Sequence, residues 1–210
     1  MSTDANAKPH PTVLFFGAPG SGKGTQGKIL ASIPGFVHVS SGEMFRELEP
    51  DSELGKVFLD YSSRGDLVPD DVTIRLWEHH MDRLVQARQF NPSRDTLILD
   101  GIPRNLQQSE MLQGRIDVRL LLHLHAADEE QMVQRIRGRA LREGRLDDAN
   151  PDVVRRRFRE YDAETFPVLE SYPREKVRSI DACAAPLEVL RQVIEVLQVM
   201  LYPETLQHAA

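Results

Sequence analysis

The sequence predicts an α/β fold built on a doubly wound, five-stranded parallel sheet. Short apolar runs that are continuous rather than alternating, as in strands buried on both faces, occur at residues 12–16, 36–39, 96–100, 118–124 and 176–180. Helical periodicity fills the intervals, at residues 23–32, 72–87, 128–141, 151–171 and 187–201. Alternating strands and helices imply right-handed crossovers, and ligands of such sheets bind at the carboxyl ends of the strands.

Length and composition indicate one ordinary globular domain. The chain of 210 residues can bury a substantial core, and it is 40% hydrophobic and 28% charged. A formal net charge of -6 argues against a general nucleic-acid binder, so an anionic ligand needs local cations. The only cysteine, Cys183, permits neither a disulfide nor a cysteine-based zinc site, and a reducing, cytoplasmic compartment fits. We expect residues 1–11 to be a disordered leader and residues 203–210 a tail.

The first apolar run leads into the glycine-rich stretch GAPGSGKGT, residues 17–25. Its glycines can adopt backbone angles that are closed to other residues, so that successive N–H groups and a helix N-terminus can face a phosphate, with Lys23 as a mobile cation. The motif predicts a P-loop NTPase, although Gly24 follows the lysine and the hydroxyl comes only at Thr25. The alternative is a strand–turn–helix corner whose glycines serve packing alone.

Two more segments follow predicted strands. In SSGEMFR, residues 40–46, Ser41 and Arg46 lie about one helical turn apart and can face one pocket. The plainer interpretations are that Ser40 or Ser41 caps the next helix and that Arg46 is a surface arginine. In LDGIPR, residues 99–104, Asp100 is placed to hold water ligands of Mg²⁺, unless it only caps the next helix. Arg104 is a candidate phosphate clamp.

Arginines are densest after the fourth strand. Arg135 and Arg139 are four residues apart on one predicted helix, and Arg145 follows a short turn. Three consecutive arginines, residues 155–157, lie on the next helix. A solvated charged face is the plain interpretation of such a cluster, and we accept it for Arg137, Arg142, Arg155 and Arg159.

Taken in order, these four segments resemble those of adenylate kinases and their nucleoside monophosphate (NMP) kinase relatives, from about residue 12 to residue 201. The resemblance implies a core of residues 12–39, 70–138 and 149–202, an NMP-binding insertion at 40–69 and a short lid at 139–148. It implies reversible transfer of the γ-phosphoryl group from MgATP to AMP, with products of two ADP, by a monomer without zinc. Mg²⁺ would have no direct protein ligand and would lie near Thr25 and Asp100.

The resemblance also assigns residues to roles. The catalytic set it implies is Lys23, Asp100, Arg104, Arg139, Arg145 and Arg157. The ATP-binding set is Gly20, Ser21, Gly22, Lys23, Gly24, Thr25, Arg135, Arg139 and Ala185. The AMP-binding set is Ser41, Arg46, Asp66, Leu67, Val68, Gly101, Ile102, Pro103, Arg104, Gln108, Arg145 and Arg157. Ile102 departs from the family pattern, which has an aromatic ring there, and counting from Arg145 rather than from Tyr161 selects Arg156 in place of Arg157.

The acceptor base leaves an alternative open. UMP/CMP kinases share the short lid, but they usually have alanine where Ser41 stands and asparagine where Gln108 stands. A hydroxyl and a longer amide at these positions favour AMP. A hypothesis of a different class is an inactive nucleotide-sensing protein, which should have lost Lys23, Asp100 or several arginines, and all of these are present.

Overall fold

The computed structural model describes residues 8–144 and 148–201. Within these ranges five strands form one parallel sheet in the order β2-β3-β1-β4-β5, as the sequence predicts. The strands are β1 (His10–Phe16), β2 (Phe36–Ser40), β3 (Thr96–Asp100), β4 (Ile116–His125) and β5 (Val177–Asp181). β1 begins two residues inside the expected leader, because His10 and Pro11 already pair with Ile116 and Asp117 of β4.

Helices cover both faces of the sheet. They are α1 (Lys23–Ala31), α2 (Ser41–Arg46), α3 (Glu53–Arg64), α4 (Asp70–Gln86), α5 (Leu106–Met111), α6 (Glu129–Glu143), α7 (Pro151–Glu160), α8 (Phe166–Ser171) and α9 (Pro186–Leu201). Alternate residues of β1 supply two separate cores: Leu14 lies in the cluster that contains Trp77 of α4, and Val13 lies in the cluster that contains Leu30 of α1 and Val193 of α9. This two-sided burial explains the continuous apolar runs.

The predicted helix 151–171 is interrupted by a π-helical turn, Tyr161–Thr165, between α7 and α8. Pro167 lies two residues beyond the turn, and a proline in a helix removes one N–H donor and crowds the carbonyl four residues earlier. The wider turn accommodates this interruption. Within the same turn, the hydroxyl of Thr165 donates to the carbonyl of Arg104 over 2.7 Å, which ties the long helix to the loop after β3.

Gly27 in α1 packs tightly against His38 of β2, behind the glycine-rich loop. A Cβ atom at this position would lie 2.4 Å from the ring of His38 in β2, well inside van der Waals contact. The imidazole is almost completely buried, with its side chain 4% exposed, and its Nε2 lies 3.8 Å from Oδ2 of Asp100. The absence of a side chain at residue 27 therefore makes room for a ring that neighbours a candidate site residue.

We predict that Gly27→Ala lowers the free energy of unfolding by about 1–3 kcal/mol, because the buried ring has to shift to accept the methyl group. The matched control is Gly138→Ala in α6, where a Cβ would meet only the end of the flexible Arg142 side chain, at 3.3 Å. That variant should be neutral or more stable by up to about 1 kcal/mol through helix propensity. Urea unfolding measures both, and equal effects would contradict the packing argument.

Candidate active site

A cleft of about 590 Å³ opens at the carboxyl ends of the strands. The glycine-rich loop and the first turn of α1 form one wall, and α2, α3 and the start of α4 form another. The loop after β3, the arginine-bearing faces of α6 and α7, and the segment before α9 complete the lining. Every sequence segment that was predicted to carry chemistry therefore contributes to one cavity.

The glycine-rich loop has the backbone that its sequence requires. Gly20 has a φ of 82°, and a Cβ there would lie 2.8 Å from the carbonyl oxygen of Met132 in α6. The loop also folds around its lysine: Nζ of Lys23 donates to the carbonyl oxygens of Gly17 and Ala18, at 2.7 and 3.2 Å. Two main-chain carbonyls of the loop thus hold the ammonium group.

Burial lowers the pKa of Lys23 to about 8, with Asp100 opposing this shift and the charges of Arg104, Arg139 and Arg157 adding to it. For Asp100, burial acts to raise the pKa, but His38, Lys23 and Arg104 outweigh it and the pKa is lowered overall. Asp100 is therefore ionised at neutral pH although it is buried. Its negative charge partly neutralises the positive charges of Lys23 and Arg104.

On the opposite wall, Ser41 and Arg104 converge on one carbonyl. The Ser41 hydroxyl donates to Gly101 O at 2.6 Å, and Nε of Arg104 donates to the same oxygen at 2.9 Å. Nη2 of Arg104 also lies 3.4 Å from the Ser41 hydroxyl, to which it donates. Ser40, not Ser41, is the residue that precedes α2, and its side chain makes no capping bond. Ser41 thus orients Arg104 in the cleft, and the capping interpretation of Ser41 is wrong.

Gln108 lines the same wall, but its amide is already engaged. Oε1 accepts from Arg104 N at 2.8 Å, and Nε2 donates to Oδ1 of Asp70 at 2.7 Å. Asn105 donates to the same carboxylate, at 3.0 Å. One Nε2 hydrogen of Gln108 is left for a ligand, so in this conformation the amide fixes the Arg104 backbone and offers a base a single donor.

Asp148 joins two of the predicted arginines. Its side chain is fully buried and accepts from Nε of Arg139 at 2.7 Å and from Nη1 of Arg157 at 2.6 Å. Burial acts to raise its pKa, but the two guanidinium groups outweigh this and lower it. The pair Asp147-Asp148 was visible in the sequence, but no role was assigned to it. An acidic residue between arginines of a predicted lid is the signal that could have identified it.

The structure shows which of the adjacent arginines of α7 lines the cleft. Arg157 lines the cleft, whereas Arg156 makes ion pairs with Asp66 at 2.5 Å and Glu160 at 3.9 Å. Arg46 and Arg135 also line the cleft, and Nη1 of Arg135 donates to Ala182 O at 2.7 Å. Arg145 lies outside the described residues.

Two predicted contacts are placed differently from the rest. Ile102 is 1% exposed and belongs to the apolar core that contains Trp77, while its neighbours Gly101 and Pro103 line the cleft. The carbonyl of Ala185 accepts from two backbone N–H groups at the start of α9, and the residues around it, Ala182, Ala184 and Pro186, line the cavity. Asp66, Leu67 and Val68 all line it as predicted.

Among residues 8–144 and 148–201, no group of three or more His, Cys, Asp and Glu side chains could hold a metal ion. In the same part of the chain, no helix is both long and apolar enough to cross a membrane.

Comparison with known proteins gives consistent matches along the chain. A family model described as adenylate kinase matches residues 15–177. The adenylate kinase of Mycobacterium bovis (strain BCG / Pasteur 1173P2) is 38% identical over 192 residues, which are 88% of this chain and 98% of that protein. The Flavobacterium psychrophilum adenylate kinase is 32% identical over 88% of this chain and 97% of its own length. That of Porphyromonas gingivalis (strain ATCC 33277) is 36% identical over 79% and 84%.

We predict that the affinity for a nucleoside triphosphate falls as the pH rises through about 8, because the free protein loses the Lys23 proton near that pH. A bound phosphate stabilises the ammonium form and raises the pKa of Lys23, so that binding at pH 8–9 takes up a proton and the affinity falls by up to about tenfold per pH unit. Calorimetric titration with a non-hydrolysable analogue, in buffers of different ionisation enthalpy, measures the proton uptake.

Lys23→Arg is the control, since a guanidinium stays charged over this range. Its affinity, even if weaker, should not vary from pH 7 to 9. A wild-type affinity that is equally flat, without proton uptake, would show that the lysine is fully charged in the free cleft.

Proposed function

The chain belongs to the adenylate kinase family, and on that premise we propose that its cleft transfers the γ-phosphoryl group of MgATP reversibly to AMP, with products of two ADP. Membership makes it a nucleoside monophosphate kinase, a phosphotransferase. The observation that carries the finer proposal is the single cleft: the phosphate loop lines one wall, and Ser41, Arg46 and Arg104 line the other.

The donor nucleotide occupies the wall with the glycine-rich loop. Loop N–H groups and Lys23 bind its phosphates, since an anion offers the ammonium stronger partners than the two carbonyls that hold it now. The adenine lies toward residues 182–186, where Arg135 borders the cleft and is held by Ala182 O. The proposed contribution of Ala185 to this edge is made by its backbone alone.

The residues near Lys23 fit a magnesium ion bound through water and phosphate. Asp100 is buried, ionised and adjacent to the loop, since a Cβ at Gly24 would lie 3.5 Å from its Oδ2. Thr25 also lines the cleft. When bound, Mg²⁺ neutralises charge on the phosphates that Lys23 and the loop amides hold. No zinc is part of the proposal.

The transfer step needs no side-chain nucleophile, because an oxygen of the acceptor phosphate attacks the γ-phosphorus directly. Arg46 and Arg104 bind the acceptor phosphate and orient that oxygen. Arg139 and Arg157 stabilise the charge on the oxygens of the phosphoryl group in flight, and Arg145 is proposed to join them. Asp148 is the positioning residue that holds Arg139 and Arg157 together before substrates arrive.

Water competes with the acceptor as a nucleophile, so the site has to close before transfer. We propose that residues 40–69 and 139–148 close over the two nucleotides and that reopening limits turnover. The composition of the cleft supports this division, because its walls come from α2 and α3 on one side and from the end of α6 on the other. Each moving part carries one or more of the phosphate-binding arginines.

We predict that ATP-dependent turnover is at least tenfold faster with AMP than with UMP, CMP or GMP. The Ser41 hydroxyl and the remaining Gln108 donor border the acceptor wall, and a polar site rejects bases that leave its groups unpaired. Coupled assays of ADP formation measure this ratio. Faster turnover of UMP or CMP would overturn the choice of AMP. Tight nucleotide binding without ADP formation would favour the sensing protein.

Two arginines of α7 provide the matched control within the same assay. Arg157→Ala should lower kcat by about 10²–10³-fold, since it removes a cation aimed at the transferred group. Arg155→Ala should leave kcat within about twofold, because this exposed side chain pairs only with Asp152 at 2.9 Å among the contacts described. Equal losses in the two variants would contradict the placement of Arg157 at the reacting phosphate.

A further inference from the structure

Two aromatic rings of the NMP-binding insertion stack with nearly parallel, offset planes within the cleft. Phe45 of α2 and Phe58 of α3 have ring centroids 5.2 Å apart and planes inclined by only 7°. Both residues line the cavity. Phe45 is buried, at 5% exposure, whereas Phe58 is half-buried. The stack therefore has a covered member and a member whose surface is still partly free.

The surroundings of this stack are those of a nucleoside pocket. Arg46, a proposed ligand of the acceptor phosphate, directly follows Phe45 in the chain, which places a cation one residue from the rings. Ser62 is four residues after Phe58 on α3 and lines the cleft on the same helix face. Val68 closes the pocket from the turn before α4. An apolar wall with a cation beside it suits one nucleotide, with its base on the wall and its phosphate on the arginine.

The loop after β3 does not supply an aromatic face. Its residue 102 is an isoleucine, 1% exposed, that packs into the core with Trp77 and does not reach the cavity. Of the other aromatic residues that border the cleft, Phe15 and Phe16 belong to β1, which leads into the glycine-rich loop, and Tyr161 begins the π-helical turn after α7. On the wall formed by the insertion, the described rings are Phe45 and Phe58 alone.

We propose that Phe58, held in orientation by its stack on Phe45, is the face on which the acceptor base lies. This inference rests on the proposed function and adds a substrate-positioning residue to it. Stacking on an aromatic ring accepts every base and favours the larger purines, so Phe58 contributes affinity while Ser41 and Gln108 supply the selection among bases. The ring of Phe58 thus serves as a flat platform for the acceptor base, and the orientation of the acceptor phosphate is left to Arg46 and Arg104.

The competing interpretation is that the two rings only fill the interior of the insertion. In that case a change at Phe58 alters stability and leaves the acceptor site intact. The two interpretations differ in one measurable respect, because a platform affects the acceptor nucleotide selectively and spares the donor. Phe58→Leu separates the two interpretations, because it removes the aromatic face and keeps most of the apolar volume.

The experiment compares wild type with Phe58→Leu, Phe58→Tyr and Phe58→Ala by steady-state kinetics and by calorimetric Kd values for AMP, GMP, UMP and CMP. Phe58→Leu should raise the KM and Kd for AMP about tenfold, with smaller rises for the pyrimidine nucleotides and with kcat and the KM for ATP within twofold. Phe58→Tyr, which keeps the ring, should restore the wild-type values. Leu59→Ala, at the exposed neighbour on α3, is the control and should change none of them.

Three results would contradict the assignment of Phe58 as the platform for the acceptor base. They are an AMP affinity within twofold of wild type in Phe58→Leu, equal rises in KM for ATP and AMP, and a loss of thermal stability in Phe58→Leu that fully accounts for the lost activity. Failure of the proposed function is a separate outcome, because a wild-type protein that forms no ADP from ATP and AMP can still be tested by direct binding. If the affinity for nucleoside monophosphates still depended on the ring at residue 58, the role of Phe58 in base binding would stand although the kinase reaction did not.

Discussion

The buried ammonium group of Lys23 is the constraint on which the rest of the site depends. It lies against two loop carbonyls, with Asp100 as its countercharge and with Arg104, Arg139 and Arg157 all acting to lower its pKa. A chain with a formal net charge of -6 thus concentrates cations at the carboxyl edge of its sheet. Such crowding costs stability in the free protein and is relieved by an anion. The same arrangement therefore makes the cleft a phosphate site and sets its dependence on pH.

Three carboxylates hold polar side chains of the cleft in place. Asp100 faces Lys23, Asp148 joins Arg139 to Arg157, and Asp70 holds Gln108, whose amide in turn holds the backbone of Arg104. Asp148 and Asp70 act through a protein partner, whereas Asp100 is also proposed to lie near the Mg²⁺ ion that accompanies the donor phosphates. Their contribution is to reduce the reorganisation that charge stabilisation would otherwise require at the moment of transfer.

The features that depend on short, local sequence patterns could be predicted from the sequence. The sheet follows from continuous apolar runs, and the phosphate loop follows from glycines at 17–24 with Lys23. Sequence reasoning missed what depends on contacts between distant segments. Asp148 becomes a bridge only because α6 and α7 meet, and the Gln108 amide is engaged because the start of α4 lies beside the loop after β3. The Phe45–Phe58 stack likewise needs α2 and α3 to be placed in space, since thirteen positions separate the rings along the chain.

One cleft is proposed to hold two nucleotides with their phosphates facing each other. Titration with a bisubstrate analogue, two adenosines joined through a polyphosphate chain, tests this arrangement. We expect one analogue to bind per chain, with both ATP and AMP displaced from the same protein molecule, and slower amide exchange in residues 40–69 and 139–148. An analogue complex that still binds AMP, or exchange that is unchanged in both segments, would contradict it.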